Sequence, residues 1–485
     1  MLLCAVGVLL PWSTASAQAD TDPKPAQKAP DREQILAEAE QIDDKVGQIR
    51  GLVPLGPITK SIKTKDELRA ELQKRIAEEI PPEDIAREAR VLVRLGLIEA
   101  DFDYGGFFLD LFTEQIAGFY NDEARELALI EGDMSMDEQR VVMAHELFHA
   151  IQDQHYTIAS IQPPKEGLAG LSNNEDRATA RSALIEGDAT VLMVDFMVYE
   201  MGGLQYGSGA SVLDNPMAAS LIDGMAAQSG GSMAGSSPVL GNAPGWIQEQ
   251  LIFPYMGGLK FVAAMRKNQS WGPMANVYQS PPDSTEQILH PEKYLERDEP
   301  TLIALDEAAL TEALGGELIY NNVMGELRVR QWLTHHADDE TLPRLLKRPG
   351  LTGAVAAAGW DGDRYYGIDT PQGKTAIIGA SVWDSEEDAK EFAAALGAIM
   401  QARYPKAERH DQSGEHGASM CLEGSDERQY VEQWGTWVIF MDGIPSDDPA
   451  LLNNLRQIIW DSRRAGPYPP TKTAGPLPQP GSEQP

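Results

Sequence analysis

Between residues 31 and about 100, apolar residues recur three and four apart, which places them on one face of a helix. Thr64 and Glu67 stand at capping-box spacing ahead of a helix over 67–80, and Pro81-Pro82 separates it from a second helix ending near Leu95. Residues 101–120 read as a helix that closes on Gly-Phe-Tyr, and Glu126–Ile130 then alternates with the period of a strand. Ser135 and Glu138 repeat the capping-box spacing and open a helix to about Gln154. A longer helix is expected over 176–201. Residues 202–245, rich in Gly, Ser, Ala and Met, carry neither period and are expected to form a loop or lid. Helical spacing returns over 246–340.

The pattern changes after about residue 350. Residues 364–368 and 376–383 read as strands, Glu386–Arg403 and Leu451–Ser462 as helices, and 429–433 and 436–441 as a hairpin across Trp434-Gly435. Residues 359–365 read as a Trp-bearing turn, because their oxygen ligands are too few and wrongly spaced for calcium. The expected class is α+β: a mostly helical core followed by a small C-terminal sandwich over 346–464, with strands in one layer and two helices in the other.

Composition adds exclusions. The 485 residues are 42% hydrophobic and 24% charged, enough apolar material for a core. With 74 acidic against 40 basic residues and a net charge of −34, the chain is not expected to bind nucleic acid, which needs clustered Lys and Arg. The opening stretch is apolar and ends in small residues, with Ala15 and Ala17 at the key positions, so 1–17 reads as a signal peptide. Of the two cysteines, Cys4 falls in that segment, which leaves Cys421 without a disulfide partner in the mature chain. No later segment is apolar enough to span a bilayer. These features point to an exported protein, periplasmic or extracellular, with a flexible leader from residue 18 and a Pro/Gly-rich tail over 465–485.

The chemistry lies in Ala144-His145-Glu146-Leu147-Phe148-His149-Ala150-Ile151-Gln152-Asp153-Gln154-His155. His145 and His149 are one helical turn apart, so both imidazoles reach one ion, and Glu146 lies just off that face as a general base. Zinc is the expected cofactor, since it lowers the pKa of a bound water toward ~7. The surrounding residues are apolar, and a polar pair buried there without a partner would be costly. A catalytic zinc takes three protein ligands. Glu186 is one candidate for the third, a lone carboxylate in an apolar helical run. Gly187 and Ala189 would let that helix approach the first one, and Thr190 or Asp188 would support a ligand. His155 is the other, at metzincin spacing but with Gln152 where that pattern has Gly.

His145–His149 followed by Glu186-Gly187-Asp188-Ala189 resembles the gluzincin branch of zincin metallopeptidases. With Ala117–Tyr120 and Ser284–Pro291, the longer pattern is similar to a group of bacterial exported zincin-like proteins. The resemblance implies a zincin-like metallopeptidase domain over 101–345, with Glu186 as third ligand and peptides or proteins as substrate. It also implies an edge strand ahead of the active helix that binds substrate backbone, the place taken by Glu126–Ile130. An oxyanion donor is expected as well: His290 first, at the end of a short helix opened by Ser284 and Gln287, then Tyr255 and Tyr294. Asp153 would orient a ligand or pair elsewhere, and His335 and His336 would compensate a helix dipole. The leading expectation is an exported zinc endopeptidase; the alternative is a binding or assembly protein on a zincin scaffold, its metal structural or vestigial. Peptidoglycan cross-link cleavage is a third.

Overall fold

The computed structural model describes residues 31–467, apart from 80, 116–117, 132–133, 164–172, 219, 221, 225–237, 267–270, 339 and 415–416. The expected signal peptide, most of the leader, much of the Gly/Ser-rich stretch and the tail from 468 onward lie outside the described residues.

Helix α1 (Arg32–Arg50) starts at an Asp31 capping box and stops at Gly51, whose left-handed φ of 71° ends the turn. Its buried stripe, Ile35, Ala39, Ile42, Val46 and Ile49, has the three-four spacing that places it against one neighbour. Strand β1 (Thr59–Lys63) follows, then α2 (Lys65–Glu79), α3 (Pro82–Leu95), α4 (Tyr104–Gln115), β2 (Gly118–Asn121) and β3 (Glu126–Ile130). The Thr64–Glu67 box does cap α2. Where a single helix over 101–120 was expected, its last residues turn into β2.

The three strands form a sheet of order β1-β3-β2, with β1 parallel and β2 antiparallel to β3. Glu126–Ile130 is therefore the middle strand, not the edge that the sequence suggested. Four of its five residues are buried, so both faces of the strand are covered. The edge that runs past helix α5 (Met136–Tyr156) is β2. The two longest helices that follow are α6 (Glu175–Glu200) and α7 (Gly245–Arg266), joined by several short ones. The stripe of α1 shares one core with Met143, Ala144, Leu147, Phe148 and Ile151 of α5 and with Ala189, Leu192 and Phe196 of α6.

The chain then runs through β4 (Thr301–Ala304), α8 (Glu307–Leu314), β5 (Glu317–Asn322), α9 (Gly325–His336), β6 (Trp360–Asp369), β7 (Thr375–Trp383), α10 (Glu386–Arg403), β8 (Glu408–Ser413), β9 (Gly417–Glu423), β10 (Glu427–Trp434), β11 (Trp437–Pro445), α11 (Leu451–Ser462) and β12 (Arg464–Pro467). Seven strands form an antiparallel sheet of order β5-β6-β7-β11-β10-β9-β8, and the architecture is α+β. The expected strands, hairpin and two helices are present. The sheet takes its first strand from β5, ahead of the boundary drawn at 346, and β6 begins at Trp360, where a turn was expected.

The two-layer expectation is corrected. All nine residues of β7 are buried, so both faces of the sheet are covered. Ile377 shares a core with Leu95, Trp332 and Phe392 of α3, α9 and α10, while Ile378 shares another with Leu310, Leu455 and Ile459 of α8 and α11. The first core runs on to Trp246 of α7, which joins the sheet to the helical region. No helix among the described residues is long and apolar enough to cross a membrane.

Candidate metal centre

Two capped helices set the site. Ser135 Oγ accepts from Glu138 N (3.3 Å) and Glu138 Oε2 accepts from Ser135 N (2.8 Å), which starts α5 two and a half turns before His145. Asn174 caps α6 through Arg177 N (2.9 Å). The centre of α6 is fixed by contact with α7. A Cβ on Gly187 would stand 2.2 Å from the Gly258 carbonyl carbon, and one on Gly258 would stand 1.9 Å from Ala183 O. Gly187 is thus small for α7, where the sequence suggested contact with the His-bearing helix; Ala189 is the residue packed toward α5 and α1.

His145, His149 and Glu186 converge. His145 Nε2 lies 3.0 Å from His149 Nε2, and Glu186 Oε2 lies 3.2 Å from the first and 3.3 Å from the second. All three side chains are at most 5% exposed as residues. Ligands 2.0–2.1 Å from a tetrahedral zinc stand about 3.3–3.4 Å apart, so three such atoms at 3.0–3.3 Å suit one face of that tetrahedron. Glu186 Oε1 is buried with no hydrogen-bond partner among the described residues, which leaves it open to a cation. The residues fit the metal.

The electrostatics ask for positive charge at the same point. Burial works against charge on Glu186, yet the two imidazoles hold its carboxyl below the ordinary range. Burial also opposes charge on His149, but the Glu186 carboxylate outweighs it and raises that pKa to about 9. Burial lowers His145. Glu146, 2% exposed, is pushed up to about 8, first by burial and then by Glu186.

Around the three candidate ligands the bonds are directional. His149 Nδ1–H donates to Gln152 Oε1 (2.7 Å), while Gln152 Nε2 donates to Ile185 O (3.0 Å) and to Tyr278 Oη (2.7 Å). Tyr278 donates to Asp188 Oδ2 (2.9 Å), which also accepts from Arg50 Nη2 (3.0 Å), and Arg50 Nε reaches Asp188 Oδ1 (3.1 Å). Glu146 Oε2 accepts from the backbone N–H of Tyr120 on β2 (3.1 Å). Thr190 Oγ1 donates to the carbonyl of Glu186 (2.7 Å), bracing the helix behind the ligand.

Other sequence candidates are placed elsewhere. His155 bonds Val53 O (2.8 Å) and stays in the helix, because Gln152 does not turn the chain as Gly would. Asp153 accepts from the Tyr120 hydroxyl (3.0 Å) and from Ile158 N (3.0 Å). His290 bonds Glu326 Oε1 (2.9 Å), and its helix, Thr285–Leu289, docks on Asp176 through Thr285 N (3.1 Å). Asp176 is ten residues before Glu186, about 15 Å along α6. None of the contacts His290 makes is shared with the three ligands. The ring of Tyr255 lies 6.2 Å from that of His145, whereas Tyr294 bonds Ser280 O. His336 is half-buried and bonds Leu95 O (2.8 Å), and burial pushes its pKa down, so it does not supply the charge expected at the helix end. Sequence reasoning missed Tyr120, Tyr278 and Arg50, because each reaches the centre through a partner more than twenty residues away along the chain.

Residues 314–453 match the family model of a domain of unknown function, DUF8575. That stretch covers the seven-stranded sheet and begins after every residue of the three-ligand group. No curated protein and no solved structure matches the chain.

Proposed function

We propose that the protein is an exported, zinc-dependent peptidase, an endopeptidase of gluzincin type with a zincin-like core in its helical region. The observation that carries this reading is the convergence of His145 Nε2, His149 Nε2 and Glu186 Oε2 beside the buried Glu146. A purely structural site has no use for a carboxylate in that place. Zinc bound there supplies a Lewis acid for a water and for the scissile carbonyl.

The protein's own groups do the rest. Tyr120 N–H holds Glu146 Oε2, which leaves Oε1 to take the proton of the attacking water and pass it to the leaving amine. Gln152 keeps the proton of His149 on Nδ1 and so leaves Nε2 as the ligand atom. The apolar neighbours Leu147, Phe148 and Ile151 lower the local dielectric and strengthen each of these interactions. Tyr255, beside His145, replaces His290 as the candidate donor to the developing oxyanion.

Glu146→Gln tests the reading. Purified with zinc, the variant is expected to keep its metal and to hydrolyse a peptide library 10²–10⁴-fold more slowly, the usual worth of a general base. Wild-type turnover in that variant removes Glu146 from the mechanism. A zinc-loaded wild type that cleaves nothing in the library supports the binding-protein alternative instead.

A further inference from the structure

The polar groups behind His149 form a chain with one possible direction. Arg50 carries only donors, and Asp188, when ionised, only acceptors. Both are sealed from solvent, with side chains 2% and 0% exposed. With both Asp188 oxygens engaged by the guanidinium, the Tyr278 hydroxyl that reaches Oδ2 has to donate. Its oxygen is then an acceptor, and the group that reaches it is the amide nitrogen of Gln152. The second proton of that nitrogen goes to Ile185 O. Gln152 is left with its carbonyl oxygen toward His149, and an oxygen there demands that Nδ1 carry the proton. In the neutral imidazole that binds a metal, the lone pair of His149 therefore sits on Nε2, the atom that faces His145 and Glu186.

The chain is also held in place mechanically. Trp271 lies 4.0 Å from the Arg50 guanidinium as a cation–π partner, and Tyr156 stacks on Tyr278 with ring centroids 4.0 Å apart and planes 5° apart. Neither Arg50 nor Tyr278 bonds the three candidate ligand atoms, and the hydrogen-bonded route from them to His149 runs through Gln152.

We infer that Arg50, Asp188, Tyr278 and Gln152 are positioning residues that fix the tautomer and ring orientation of His149, which makes helix α1 part of the metal centre. The inference rests on the zinc reading above. It assigns the segment before residue 100 an integral role, because the residue at the head of the relay is the last of α1. A segment removed on activation would take Arg50 with it and leave the buried Asp188 without its counter-charge.

The test measures zinc affinity by chelator competition, the visible absorption of the cobalt-substituted protein, and the melting of metal-free protein. Gln152→Leu removes the acceptor at nearly constant volume. It is expected to weaken zinc 10–100-fold and to shift the cobalt bands, the usual cost of losing the partner of a ligating His. Tyr278→Phe is expected to act in the same direction and less strongly. Arg50→Met together with Asp188→Asn removes both charges and leaves none unpaired; it frees Tyr278 to reverse its hydroxyl and is expected to weaken zinc about tenfold. Gln139→Leu is the control, because it deletes another buried amide from the same helix, one with no partner among the described residues; zinc affinity and cobalt spectrum should match wild type. Equal zinc affinity and spectrum in wild type, Gln152→Leu and Tyr278→Phe would overturn the relay while leaving the zinc reading intact. A wild type that takes up neither metal overturns both. Variants that melt earlier but keep wild-type affinity and cobalt bands would make the network structural only.

Discussion

Asp363 in the seven-stranded sheet and Glu186 in α6 are 4% and 1% exposed, yet their surroundings have opposite character. Asp363 accepts from Met324 N, Gly325 N and Trp360 Nε1, all at 2.9–3.1 Å, so each of its oxygens has a donor. Asp442 and Glu432 repeat this: the first is paired with Arg403 and Tyr404, the second with Arg456, Trp460 and Tyr430. Around Glu186 the neighbours are two imidazole nitrogens that face each other as well as the carboxylate, and Oε1 has no hydrogen-bond partner among the described residues. Burial of a carboxylate is common to both regions and does not mark a site. What sets Glu186 apart is the convergence of its Oε2 with two imidazole nitrogens.

The largest expected effect comes from the unsatisfied side of this contrast. Glu186→Ala should abolish zinc uptake at neutral pH, read as metal content per chain, and should also lower metal-free stability, because the two imidazoles that hold its carboxyl below the ordinary range lose their partner. Metal content equal to wild type would make Glu186 a structural acid like those of the sheet. The next effect comes from the satisfied side. Asp363→Ala leaves two backbone N–H groups and an indole N–H buried without acceptors, and should cost on the order of 3–5 kcal/mol in urea unfolding, with zinc affinity unchanged. The smallest concerns His155, whose ring bonds Val53 O at the edge of the same helix. His155→Ala should retain zinc with affinity within about twofold of wild type; loss of metal there would restore the metzincin-spaced ligand set.

What the sequence made legible follows the range of the interactions involved. Glu386–Arg403 and Leu451–Ser462 could be bounded to the residue because periodicity, and for the first the Ser385 cap, are local signals. The hairpin at Trp434-Gly435 is local too, with Gly435 at a φ of 59°. His145, Glu146 and His149 lie within five consecutive positions. By contrast, β1 is a short polar strand, Thr-Lys-Ser-Ile-Lys, that exists only because it pairs with β3 across more than sixty residues of chain. Strand β5 was lost inside a helical stretch for the same reason, since its partner, β6, comes some forty residues later. Gln152 was read as an obstacle to a ligand at position 155. Its positive role, as the acceptor for His149 Nδ1–H, depends on Tyr278, which no local pattern connects to it.

That dependence has a consequence for the order in which the molecule assembles. The Arg50–Asp188 pair closes over 138 residues of chain and the Gln152–Tyr278 bond over 126, whereas His145 and His149 are neighbours as soon as one turn of α5 has formed. Loop closure over such spans is slow and comes late. A chain made or delivered from its N-terminus presents two histidines and a carboxylate long before residue 278 arrives to lock the tautomer of the second. Early metal capture would be loose and reversible, and tight retention would begin only once the tertiary structure is complete. This is the opposite of small zinc modules, in which the ion organises the chain.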